Sequence, residues 1–191
     1  MESEMMRFSQ QSEQGSTIEW DKLRAIAGQN AGSVPDDIDR MLCASNEEEA
    51  SSAYWMIDNH VVVQGQLFES ALPTGRTVAR AICEGNPTVF GLGRALDLLV
   101  EIAAGESDYS EVELGNEHLG DACRAVLRPF VPCFRRFVWS ENDKVLLGLL
   151  DLLDILEPER ERLRDIAQSI ADRRPANTML GDRARELAAE R

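Results

Sequence analysis

Arginine supplies the most chemistry-bearing pattern in this chain. Arg76 and Arg80, Arg124, Arg128 and Arg135, and Arg160 and Arg164 recur at separations of four or seven. On a helix such residues share a face. A ridge of guanidinium forks suits carboxylate or phosphate; the plainer alternative is local pairing, as of Glu161 with Arg164, worth little at a surface. A second candidate is the stretch GESDYSEVELGNE, residues 105–117. It sets Tyr109 among Glu106, Asp108, Glu111 and Glu113 and contains no Lys or Arg. It reads as a solvated acidic loop suited to a basic partner. The third is Trp55 with Asn59 one turn later, beside an apolar helical stripe. Such an indole either anchors a partner or packs between neighbouring helices.

The remaining reactive side chains do not assemble into a reaction. His60 stands where a helix ends and serves to cap its last carbonyls. His118 has no Ser or Cys in a nucleophile motif nearby and reads as surface. Asp97 and Asp151 occupy equivalent places in two similar segments, so they read as solvent positions rather than an acid and base pair. GLGRAL, from Gly91, lies inside a helical pattern with no strand before it, and is therefore no phosphate loop. Cys43, Cys83, Cys123 and Cys133 form no CxxC pair and read as buried, reduced thiols. The expectation is a non-enzyme with no cofactor and no metal.

The formal net charge of −14, from 34 acidic and 20 basic residues among 191, disfavours bare nucleic acid and anionic membranes as partners. No apolar run reaches the roughly 18 residues that span a bilayer. Residues 1–16 carry Glu2 and Glu4 and lack an apolar segment, unlike a secretory signal. They read as a flexible arm on a cytoplasmic protein.

Nearly every other segment has a period of 3.6, which predicts an all-α fold. Thr17 is placed to cap a short helix through Trp20 and Ile26, and Pro35 to open another. Asn46 caps a long helix with stripe Ala50, Ala53, Tyr54, Ile57 and Val61, ahead of a partner helix from Leu67 to Ile82. Gln64-Gly65 between them reads as a left-handed helix stop. ALDLLVEIA from Ala95 and LLDLLDILE from Leu149 superpose at an offset of 54, each followed by an amphipathic helix. Three antiparallel hairpins at HEAT or armadillo spacing result, within a domain of residues 17–174. Residues 175–191 read as a C-terminal tail with room for a short helix. Pro73, Pro129 and Pro132 are expected to kink second helices. The competing arrangement is an irregular helical bundle.

Trp55, Asn59, Gln64-Gly65, Phe68 and Ala71 together resemble bacterial HEAT-like repeat proteins over Glu19 to Ala104, although Thr74-Gly75 departs from that pattern. Some members of that group look like immunity proteins encoded beside polymorphic toxins. The resemblance implies first helices outside and second helices inside. Sorted that way, residues 46–63, 87–104 and 141–157 hold 11 acidic and 2 basic residues, whereas 65–84, 116–138 and 159–174 hold 8 and 11. The functional expectation is a protein-binding module, in its sharpest form an immunity protein that masks a basic toxin domain. Its alternatives are a HEAT-like DNA-base excision enzyme with a basic concave face and an adaptor in a cytosolic complex.

Overall fold

The computed structural model describes residues 18–85 and 87–190. The arm of residues 1–16 and the Thr17 cap lie outside them. Two short 3-10 turns, Trp20–Lys22 and Ile26–Gly28, stand where one short helix was expected. They lead into α1 (Val34–Leu42), with Pro35 in its first turn, where a missing N–H costs nothing. Helix α2 (Glu47–Val61) starts on Asn46, whose side chain accepts from Glu49 N at 2.9 Å. The three glutamates that follow suit the positive helix end.

The chain does not go straight from α2 into a second helix. Val62–Val63 (β1) and Gln66–Leu67 (β2) pair antiparallel, with Gln64 at φ 52° and Gly65 at φ 78° between them. Two consecutive positive φ values make a two-residue hairpin turn of the kind strand twist favours. The β-branched run Val61–Val63 thus ends the helix in extended backbone, and Gly65 keeps its left-handed conformation in a strand turn. Glu106–Ser107 (β3) pairs parallel with β2, so the expectation of no strand is corrected by a small three-stranded ribbon.

Helix α3 (Ala71–Glu84) begins four residues later than the sequence stripe implied. Pro73 therefore falls in its first turn and produces no kink, because that N–H has no intrahelical acceptor. Helix α4 (Val89–Ala104) is capped by Thr88 and is followed by a short α5 (Tyr109–Glu113). The next predicted helix is broken, as its prolines dictate: α6 (Leu119–Leu127), a 3-10 turn 128–130, α7 (Val131–Phe134) and a 3-10 stretch 135–139. Helices α8 (Asp143–Leu156), α9 (Arg160–Arg173) and α10 (Met179–Ala189) complete the chain. The segment read as a tail is mostly helix, and Leu180, Ala184 and Leu187 on α10 are buried.

Helices α2, α4 and α8 lie side by side and run in the same direction. Glu47 pairs with Arg94 near the start of α2 and α4, Gly93 sits against Lys144, and Gly148 against Leu96. Leu96, Leu98, Leu99 and Ile102 of α4 and Leu149, Leu150, Leu152 and Leu153 of α8 are fully buried between this layer and the second helices. Truncating any one of them to Ala would cost about 2–5 kcal/mol. Gly91 has a packing role: a Cβ there would stand 2.5 Å from Met41 O, so α4 can start against the end of α1 only through a glycine.

The cysteine expectation is corrected. Cys83 at the end of α3 and Cys133 on α7 form a disulfide across 50 positions, Cys43 is exposed, and Cys123 alone is a buried free thiol. Burial pushes the Cys123 thiol up to about 12. Cytosolic thiols are normally kept reduced, so the bond is in tension with a cytoplasmic location. Among the described residues no helix is long and apolar enough to cross a membrane.

Candidate functional site

The acidic stretch 105–117 is not a solvated loop. Leaving α4, the chain enters β3, where Glu106 N donates to Gly65 O at 2.9 Å and Asp108 N to Leu67 O at 3.0 Å. Asp108 caps α5 by accepting from Ser110 N at 2.8 Å; the Ser110 hydroxyl, with that N–H, holds its carboxyl below the usual range. Glu111 then turns inward and is 1% exposed. It accepts from Arg24 Nε at 3.2 Å and Nη2 at 2.8 Å, from Asn116 Nδ2 at 2.7 Å and from Glu69 N at 3.2 Å. Burial alone would raise its pKa; these donors outweigh burial and hold it below the usual carboxylate range. Ser107 Oγ closes the far end, donating to Asn116 O at 2.6 Å and accepting from Leu119 N at 3.1 Å.

With its backbone so fixed, the segment turns its apolar side chains outward. Tyr109 is 72% exposed and Leu114 61%, with Val112 also exposed between them. Glu113 beside them has no ion pair among the described residues, and Glu117 has only His118 at 3.9 Å. Between this segment and the turn at 24–28 lies a cleft of about 430 Å³, walled by Ile26, Val63, Phe68 and Leu114 and edged by Asp108. The arrangement is a rigid apolar knob among carboxylates, beside a cleft of the size that accepts a small ligand or side chain.

The arginine ridges are largely engaged within the molecule. Arg124 donates to Asp121 at 2.8 Å, to Glu106 at 3.0 Å and to Ala103 O at 3.1 Å. Two residues proposed for partner contact, Glu106 and Arg124, are thus each other's partners. Arg135 reaches the buried carboxylate of Glu157 through Nε at 2.7 Å and Nη2 at 2.6 Å. Arg80 and Arg76 lie partly buried on α3, Arg80 with Glu84 at 3.9 Å. Arg160 ties Asp154 to Glu190, and Arg164 donates to Glu190 O. Arg128 is exposed.

Trp55 is 52% exposed on α2 and meets Tyr54 edge to face at 5.0 Å. Asn59 Nδ2 turns back to Trp55 O at 2.8 Å on its own helix. His60 Nδ1 lies 2.6 Å from Met56 O at the end of α2, the capping place expected of it, and His118 is on the surface. Asp97 and Asp151 lie on parallel helices but are not free solvent positions: Asp97 pairs with Arg94 and Lys144, and Asp151 with Arg183. The inward turn of Glu111, the Arg24 clamp and the Cys83–Cys133 bond have no local spacing signal. The Arg24–Glu111 pair joins residues 87 positions apart, and the disulfide residues 50 apart. Comparison with protein-family models, with curated proteins and with solved structures gave no match.

Proposed function

We propose that this chain is a non-catalytic, HEAT-like protein-binding module that recognises a basic partner through residues 105–117, and that its role is of the immunity type, masking a toxin. The observation that carries this reading is the clamped display of Tyr109, Val112 and Leu114 among Glu106, Glu113 and Glu117. Exposed aromatic and aliphatic side chains on a rigid backbone lose little entropy on binding, and a surrounding negative field steers a positive surface toward them. A toxin that acts on nucleic acid carries such a surface to hold phosphate. The parallel packing of α2, α4 and α8 supports a repeat stack. The excision-enzyme alternative loses support, since Arg124 and Arg135 already spend their forks on carboxylates of this chain.

The test is capture of the partner with tagged parent protein and with a Tyr109→Ala, Leu114→Ala double variant whose circular dichroism matches the parent. A basic protein bound by the parent and released by the variant is the expected result. A partner held equally by both would place the contact elsewhere.

A further inference from the structure

A groove of about 310 Å³ runs along the layer of first helices and shares no lining residue with the cleft beside the 105–117 segment. Trp55 forms one wall, and Asp97, Glu101, Gly148 and Asp151 line the floor and far side. The indole is held in place from below. Arg94 lies over the Tyr54 ring at 5.6 Å, Tyr54 meets Trp55 edge to face, and Tyr54 Oη donates to Asp58 Oδ1 at 3.3 Å. More than half of the Trp55 surface is left open to solvent.

The charges along this groove are unevenly satisfied. At one end Arg94 and Lys144 are consumed by Glu47 and Asp97. On the α8 side Arg183 is consumed by Asp151 and Asp154. Glu101 has no cationic partner among the described residues, and the nearby Asp58 has only the Tyr54 hydroxyl. Burial and the charge of Glu101 push the Asp58 carboxyl up to about 6. Glu101, a lining carboxylate without a cation, beside an open indole face is complementary to a planar cation. A guanidinium there would stack on the aromatic ring and donate through its fork to the Glu101 carboxylate, whereas an ammonium would meet ring and carboxylate with poorer geometry.

We infer that this groove is a binding site for an arginine side chain presented by a partner protein, stacked on Trp55 and paired with Glu101. The inference does not depend on the 105–117 surface, and its test needs no natural partner. Protein labelled with ¹⁵N at its tryptophan indoles is titrated with tetra-arginine amide at low ionic strength. The Trp55 Nε1–H resonance moves saturably, while those of buried Trp20 and of Trp139, whose face Arg173 already covers, stay in place. Glu101→Gln weakens the response by roughly three- to fivefold, the order expected of one partly exposed ion pair. Glu161→Gln, an equal loss of charge on the distant α9, leaves it unchanged, and tetra-lysine amide binds more weakly than tetra-arginine. An unmoved Trp55 resonance overturns the inference. So does equal weakening by the two Gln variants, which would make the response a property of net charge.

Discussion

Arg24 Nη2 donates to Glu111 Oε2 at 2.8 Å, joining the link between the two N-terminal 3-10 turns to the acidic segment 87 positions later. The pair is asymmetric: Glu111 is buried, whereas Arg24 is partly open to water and also reaches Glu69 at 3.1 Å. Removing Arg24 strands a buried carboxylate; removing Glu111 leaves a cation that can still be solvated. Arg24→Met is therefore expected to cost about 2–3 kcal/mol, and Glu111→Gln less. Because the folded pKa of Glu111 is depressed, its contribution is present above the ordinary Glu pKa of 4.5 and fades as pH falls through the folded value. Urea melts of both variants at pH 7 and pH 3 measure this. A penalty for Arg24→Met as large at pH 3 as at pH 7 would contradict the clamp.

The turn between β1 and β2 makes a signed prediction at adjacent residues. Gln64 holds a positive φ that Asn tolerates better, so Gln64→Asn should stabilise by about 0.5 kcal/mol. Gly65→Val should destabilise by about 1–2 kcal/mol through strain alone, since nothing lies within 4 Å of a Cβ built there. Thermal melts of the two variants in one buffer would show shifts of opposite sign.

The disulfide closes a loop of 50 positions and fastens α3 to the proline-broken stretch after α6. In the chain-entropy account its loss costs about 4 kcal/mol. Denaturant midpoints with and without reductant, and for the Cys83→Ala, Cys133→Ala double variant, test this. A parent protein with the same midpoint in both conditions would show that the bond contributes nothing.

Asp58 bears a cost when ionised, since its folded pKa is pushed up to about 6 from 3.8. A raised carboxyl pKa favours the folded state at low pH, and that advantage disappears as pH rises through about 6. Asp58→Asn retains an acceptor for Tyr54 and removes the cost. It should stabilise the protein by about 1 kcal/mol at pH 7.5, after discounting for the water around a partly exposed group, and by little at pH 4. Equal effects at both pH values would contradict the assignment.

The helical elements were legible because apolar stripes at period 3.6, the Asn46 cap and proline breaks are local signals. The boundaries of α4, α8 and α9 accordingly lie within two residues of their sequence expectation. The turn at Gln64-Gly65 was legible as a positive φ, but not as a strand turn, since strands of two residues are too short to show alternation and β2 takes its second neighbour from Glu106–Ser107 some forty positions on. The acidic segment was legible as a candidate from composition. Its rigidity was not, because Glu111 looks like any solvated glutamate until Arg24, Glu69 and Asn116 converge on it. Charge sorting by helix predicted free arginine ridges and missed that neighbouring elements bring Asp121, Glu106 and Glu157 to Arg124 and Arg135.

The most direct test of the account is the association rate of the captured partner with the parent and with a Glu106→Gln, Glu113→Gln, Glu117→Gln variant, which spares the structural Glu111. Rates are measured by stopped flow from low to physiological ionic strength. At low salt the variant should associate about tenfold more slowly, with the gap closing as the Debye length shortens to about 8 Å. Equal, salt-independent association rates for parent and variant would contradict the claim that residues 105–117 recognise a basic partner.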